Sequence, residues 1–350
     1  MGVAGHRKGA TFPSEWRPYA DAVTELTVYR LTDPAYSSVL PAYFGHAVSR
    51  NSAFLLFACD RSGAPQAFGM NLKTGATTQL TDAEGLDASG LALLPGDRSF
   101  CYVAGRAVFV AALANLRERA VYTVPEPWAP AQGLSVDSGG TRIFLVERQG
   151  DRSRLRAAPL VRGEAHTVLE SPSAISDPIP RPRRAQILYR RDGEALWLAG
   201  FDGAGNRQLR LAPGRVGPAN WAPDGSKILY LSVPEDPARL REIREFDPDT
   251  NGDALVAKTS QYAHFGFNHD TSVFVGASRS AASPVILIML RVNGRELTLC
   301  EHKASRPEAA APLFAPDAQH IYFQSDRDGK PALYSMNVDR LVAKIEEGSQ

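Results

Sequence analysis

Cysteine is scarce in this chain: there are three in 350 residues, Cys59, Cys101 and Cys300, and no C-x-x-C pair. That excludes a disulfide framework and a cysteine-based zinc site, and it fits a reducing compartment. Charge of one sign is also missing. With 39 Lys and Arg against 38 Asp and Glu, the net charge is +1, so neither nucleic acid nor a membrane surface is an expected partner. No apolar run approaches the roughly 20 residues of a membrane span; the longest, Pro284 to Leu290, has the length of a strand. The stretch Met1 to Trp16 lacks a signal-peptide core, and Gly2 is followed by His6 where a myristoylation signal needs Ser or Thr. The expected location is the cytoplasm. Several chemistries are excluded in the same way. There is no Gly-x-Ser-x-Gly elbow, no Gly-rich phosphate loop, no Asp-box repeat and no histidine pair at the i, i+4 spacing of a zinc-binding helix.

What the chain does contain is a repeat. Trp221-Ala-Pro-Asp-Gly-Ser-Lys-Ile-Leu-Tyr-Leu-Ser232 reads as a tight turn followed by a buried strand. Proline presets φ, aspartate bonds its own backbone and glycine accepts positive φ. The unit returns as Phe314-Ala-Pro-Asp317 followed by Ile321-Tyr322-Phe323. Anchored on the first apolar residue after the turn, seven copies begin at Phe54, Phe100, Ile143, Ile187, Ile228, Val273 and Ile321. A period of about 45 residues matches four short strands per blade of a β-propeller. The expected fold is therefore all-β, a seven-bladed β-propeller forming a single domain over residues 1–350.

The blades are expected at residues 40–82, 88–124, 131–170, 177–211, 216–257, 262–300 and 310–337. The last lacks an outer strand, because the chain turns helix-like at 338–347. Leu26-Thr-Val-Tyr-Arg-Leu-Thr-Asp33 resembles Ala76-Thr-Thr-Gln-Leu-Thr-Asp82, the outer strand of the first blade. Residues 26–32 are thus expected to complete the seventh blade and close the ring, removing a sheet edge. One composition shift stands out: from Arg142 to Arg191 there are eleven arginines and no lysine. Outer-strand arginines that cover apolar surface with their stems are the expected explanation, in preference to a polyanion-facing patch.

In a propeller the innermost strands line a central channel, and ligands sit at its mouth. Polar side chains on the segments preceding each turn are few: His46, Arg181, Asn220 and His264. These four are the candidate ligand-binding residues. His46 and His264 could bind or act as bases, Arg181 could neutralise a carboxylate, and Asn220 could cap the turn before Pro223 instead of meeting a ligand.

The closing stretch Phe314-Ala-Pro-Asp-Ala-Gln-His-Ile-Tyr-Phe-Gln-Ser-Asp-Arg-Asp-Gly-Lys-Pro-Ala-Leu-Tyr334 resembles the end of the bacterial oligogalacturonate lyases. Val28-Tyr-Arg-Leu-Thr-Asp33 with Tyr43-Phe44, then Asn71-Leu-Lys-Thr-Gly-Ala-Thr-Thr-Gln-Leu-Thr81, then Val124-Pro-Glu-Pro-Trp128, are similar to the same family in the same order. The resemblance implies a seven-bladed propeller that cleaves short pectin oligomers by β-elimination. It implies a manganese ion on three histidines and a glutamine, and a basic residue that removes the C5 proton. Residue by residue, Tyr262-Ala-His-Phe265 puts His264 at a metal-ligand position. The family's Gln-x-x-His-Pro-His-Pro motif matches Arg306-Pro-Glu-Ala-Ala-Ala-Pro312. Arg306 then stands for the glutamine, Ala309 and Ala311 for two histidines, and Pro218 for the base. A family arginine of the fourth blade falls near Ala195.

The expected function is accordingly a catalytically degenerate propeller of this family. It would bind a small acidic sugar or another small molecule and carry no cofactor, with manganese only if the family activity is retained. Two alternatives stand beside it: an active uronate lyase with a rearranged site using His46, His264 and Arg181, and a TolB-like propeller that binds a protein partner.

Overall fold

The computed structural model describes residues 7–339 and 341. The repeating turn sets the architecture. Asp224 accepts hydrogen bonds from the backbone and hydroxyl of Ser226, and Gly225 sits at φ +74°. Ile228–Val233 then runs buried through the middle of its sheet. All seven anchor residues stand at the first or second position of such a strand.

Seven antiparallel sheets result, each built from strands consecutive in the chain. The fifth, for example, consists of Arg215–Trp221, Ile228–Val233, Glu242–Asp247 and Gly252–Lys258 in spatial order. Two sheets gain strands from the N-terminal region. Thr27–Arg30 pairs with Ala332–Asn337, setting Tyr29 opposite Ser335, and Arg17–Ala20 lies outside it. Thr11–Phe12 pairs with Thr77–Gln79 of the first sheet. The helix expected at 338–347 lies, beyond its first residues, outside the described residues. Among the described residues no helix is long and apolar enough to cross a membrane.

A single sheet this small cannot bury both faces, so each packs on its neighbours. The core consists of seven clusters, one between each adjacent pair of sheets. Leu229, Leu231 and Ile243 of the fifth sheet meet Phe274, Leu287 and Met289 of the sixth. Tyr322 and Leu333 of the seventh meet Leu55 and Phe57 of the first, so the packing runs round the full ring. At about 1.5–3 kcal/mol for each large apolar side chain buried, these seams carry most of the stability.

Candidate ligand site in the channel

Five of the inner strands carry a bulge where they pair with the second strand of their blade: between Leu86 and Leu91, Pro130 and Leu134, Ser176 and Ile179, Val216 and Ala219, and Tyr262 and His264. A bulge bends the strand and re-aims its side chains. These bulges lie toward the end of the ring where the inner strands begin, hereafter the channel entrance. His264 directly follows the bulge of the sixth blade.

His264 lines a cavity of about 110 Å³ enclosed by inner segments of the first, fifth, sixth and seventh blades. Its walls include Leu40, Tyr43, Pro218, Asn220, Phe265 and Ala311. The imidazole is 6% exposed, and its Nδ1 atom has no hydrogen-bond partner in the protein. Burial, opposed by the Phe265 backbone, lowers its pKa to about 4. His264 is therefore a neutral hydrogen-bonding group near pH 7 and a weak base, since an effective general base has a pKa near the working pH.

Across the cavity Tyr43 presents its ring edge-on to His264, with centroids 5.3 Å apart. Its hydroxyl donates to Asp177 Oδ2 at 2.9 Å, and the same oxygen accepts from Arg190 Nε at 2.9 Å. Burial and then the Asp177 carboxylate raise the Tyr43 pKa, keeping the phenol protonated. Arg190 is anchored in turn on the carbonyls of Val216 and Gly217. The neighbouring Phe44 covers Gly133, where an added Cβ would lie 3.3 Å from the phenyl ring. The Tyr43-Phe44 pair thus reaches from the first blade across the channel to the third and fourth.

Of the four residues singled out from sequence, the structure brings two together: His264 and Asn220 line the same cavity. Asn220 Oδ1 also accepts from the Trp221 backbone at 2.8 Å, the capping role considered for it. Arg181 and His46 are not among the lining residues. Arg181 is 2% exposed and satisfied inside the fold. It pairs with both oxygens of Asp249, bonds Gly225 O and Gln186 Oε1, and stacks 5.0 Å from the centre of Trp221. Four of its five donors and its charge are engaged inside the fold, where it ties the fourth blade to the fifth. His46 has an exposed side chain, and its carbonyl accepts from Leu93.

The sequence reading missed Tyr43, Asp177 and Arg190, which join residues more than a hundred positions apart. It also missed Arg215, Arg241 and Arg279 at the channel entrance. A signal for these arginines existed: each stands at a strand end that the repeat places on the entrance side.

The comparisons with known proteins bear on this site. A family model described as oligogalacturonate lyase matches residues 6–156. The oligogalacturonide lyase of Pectobacterium atrosepticum is 26% identical over 95% of this chain and 98% of its own length. A solved oligogalacturonate lyase in complex with manganese superposes with a TM-score of 0.90 at 27% identity, covering 97% of this chain and 100% of the other. The chain resembles the oligogalacturonate lyases from end to end. TolB of Acinetobacter baumannii, at TM-score 0.50 and 11% identity over 81% of this chain and 78% of its own, shares the fold alone.

Among the described residues no group of three or more His, Cys, Asp or Glu converges on a point that could hold a metal ion. The cavity offers one imidazole and one amide in a wall otherwise dominated by apolar and small residues. Ala311 sits in a left-handed turn at the end of the 3-10 helix Pro307–Ala310 and presents a methyl group. A divalent cation needs several nitrogen or oxygen donors to displace its water, and this wall does not supply them. The residues do not fit the metal.

Proposed function

We propose that this chain is a ligand-binding propeller derived from the oligogalacturonate lyase framework, without the metal-assisted elimination. Its ligand is a small acidic sugar or a related small molecule held at the channel, in the cytoplasm. One observation carries the reading: among the described residues, His264 is the only imidazole on the cavity wall, and no carboxylate or thiol joins it there. Alanines and a proline stand at the matched positions on the facing blades. Elimination next to a carboxylate requires an acidified C–H and a base, and the cation that would stabilise the resulting charge has no ligand set here. The neutral imidazole, the Asn220 amide and the Tyr43 ring suit hydroxyl hydrogen bonding and sugar stacking instead.

The test combines metal analysis of the purified protein with calorimetric titration of trigalacturonate. The reading predicts binding with less than stoichiometric manganese. Stoichiometric manganese, or no binding of any sugar acid, would overturn it.

A further inference from the structure

Three arginines among the described residues are buried: Arg181, Arg190 and Arg241. The first is neutralised by Asp249 and the second by Asp177. Arg241 has no carboxylate within ion-pair distance among the described residues. Glu242, its chain neighbour, is held by Arg244 at 2.9 Å and Arg239 at 3.8 Å. Among the described residues the only acceptor of the Arg241 guanidinium is the carbonyl of Tyr262, 2.7 Å from Nη1. A buried guanidinium without a counter-charge is costly, because desolvation is not repaid by attraction.

Its surroundings add positive charge. Arg215 pairs with Val233, and Arg241 is one step beyond the Ser232–Glu242 pair, so the two flank the same level of the fifth blade. Arg279 donates its backbone N–H to Gln261 O, next to the Tyr262 carbonyl that holds Arg241. Arg215 and Arg279 are exposed, and neither forms an ion pair among the described residues. Apart from the paired Glu242, the acid whose charge reaches Arg241 is Glu308, on the 3-10 helix that packs against the inner strand of the sixth blade. Burial first, then the charge of Arg279, lowers the Arg241 pKa; Glu308 opposes this and Arg215 adds to it. Arg215, Arg241 and Arg279 thus stand at one level of the channel entrance, beside Tyr262, which is two residues along the strand from His264.

We propose that Arg215, Arg241 and Arg279 form an oxyanion site that takes the carboxylate of the ligand entering the His264 cavity, with Glu308 occupying the site's edge when it is empty. A planar guanidinium offers two parallel N–H donors to two carboxylate oxygens, and it needs no metal to do so. The inference rests on the acid-sugar reading for the identity of the ligand. The anion chemistry is shared by a sugar carboxylate and by inorganic phosphate.

The experiment is calorimetric titration of the full chain with galacturonate, galactose and inorganic phosphate, at low and high salt. The variants are R241Q, R279Q and E308Q, with R291Q as control; Arg291 is engaged by Glu245 away from the entrance. Galacturonate should bind the unaltered protein more weakly as salt rises, galactose at least about tenfold more weakly than galacturonate. R279Q and R241Q should each lose about tenfold in affinity, E308Q should gain, and R291Q should not change. If the buried R241Q fails to fold, the exposed R279Q decides. Phosphate binding with the same arginine dependence, without galacturonate binding, would keep the anion site and remove the acid-sugar reading. Trigalacturonate binding that ignores R241Q and R279Q would keep that reading and overturn this inference, as would the absence of binding by either anion.

Discussion

Tyr43 of the first blade and Asp177 of the fourth share a 2.9 Å hydrogen bond across the channel, although 134 positions separate them in the chain. The same tyrosine ring meets His264 of the sixth blade edge-on. One side chain therefore braces three blades around the cavity. Because Asp177 stays paired with Arg190 when the hydroxyl is removed, Y43F should cost about 0.5–1.5 kcal/mol of folding stability in a urea titration. Y43A also removes the ring from the wall of the His264 cavity and should alter ligand affinity as well as stability. A Y43A protein that binds like the unaltered one would show that the cavity is not where the ligand sits.

Arg181 separates a folding role from a binding role. Its guanidinium is buried against a partly exposed Asp249 and stacks on Trp221. Lysine cannot reproduce the two-oxygen contact or the stacking, so R181K should destabilise the fold by about 2–3 kcal/mol. Ligand affinity of the folded fraction, measured by titration below the melting temperature, should be unchanged. A tenfold affinity loss with full stability would return Arg181 to the ligand site.

The buried imidazole of His264 gives a pH dependence of defined sign. Its folded pKa of about 4 lies below the roughly 6.5 of an unfolded histidine. Between these values the unfolded chain binds more protons, so stability rises with pH from about 4 to about 6.5 and is then flat. The full contribution is on the order of 3 kcal/mol. His302 is shifted in the same direction, so the comparison that isolates His264 is unfolding of the unaltered protein against H264Q across this window. H264Q should have the flatter profile; identical slopes would mean that His264 is solvated or protonated in the folded state.

Because the described residues form no metal site, the protein should ignore chelation. Dialysis against EDTA and addition of manganese should each leave the melting temperature within experimental error, since only a ligand that binds the folded state raises it. A rise that saturates at one manganese per chain would point to a ligand set that the described residues do not form.

Much of the fold was legible because it is periodic. Pro223-Asp224-Gly225 and its relatives announce turns by local chemistry, and the apolar anchors that follow them mark the second strand of every blade. The site was legible only where it lies on an inner strand, as with His264 and Asn220. Arg181 looked like a channel residue because its strand is one, but Asp249, 68 positions later, determines where its charge goes. The same reasoning hides Arg241. Nothing in Leu240-Arg241-Glu242 says that the adjacent acid is taken by Arg244 and Arg239, which leaves Arg241 without a counter-charge among the described residues. The strands Thr11–Phe12 and Arg17–Ala20 were missed because they are short, and pairing decides them more than any pattern of their own.

The most direct test of the central claim is ultraviolet absorbance of the unsaturated product formed from digalacturonate and trigalacturonate, with and without added manganese. The Pectobacterium atrosepticum relative, run alongside, serves as the reference. The account predicts no rise for this protein under either condition while the reference responds. A manganese-dependent rise would contradict it, because it would require a metal site and a base where the structure presents Ala309, Ala311 and Pro218.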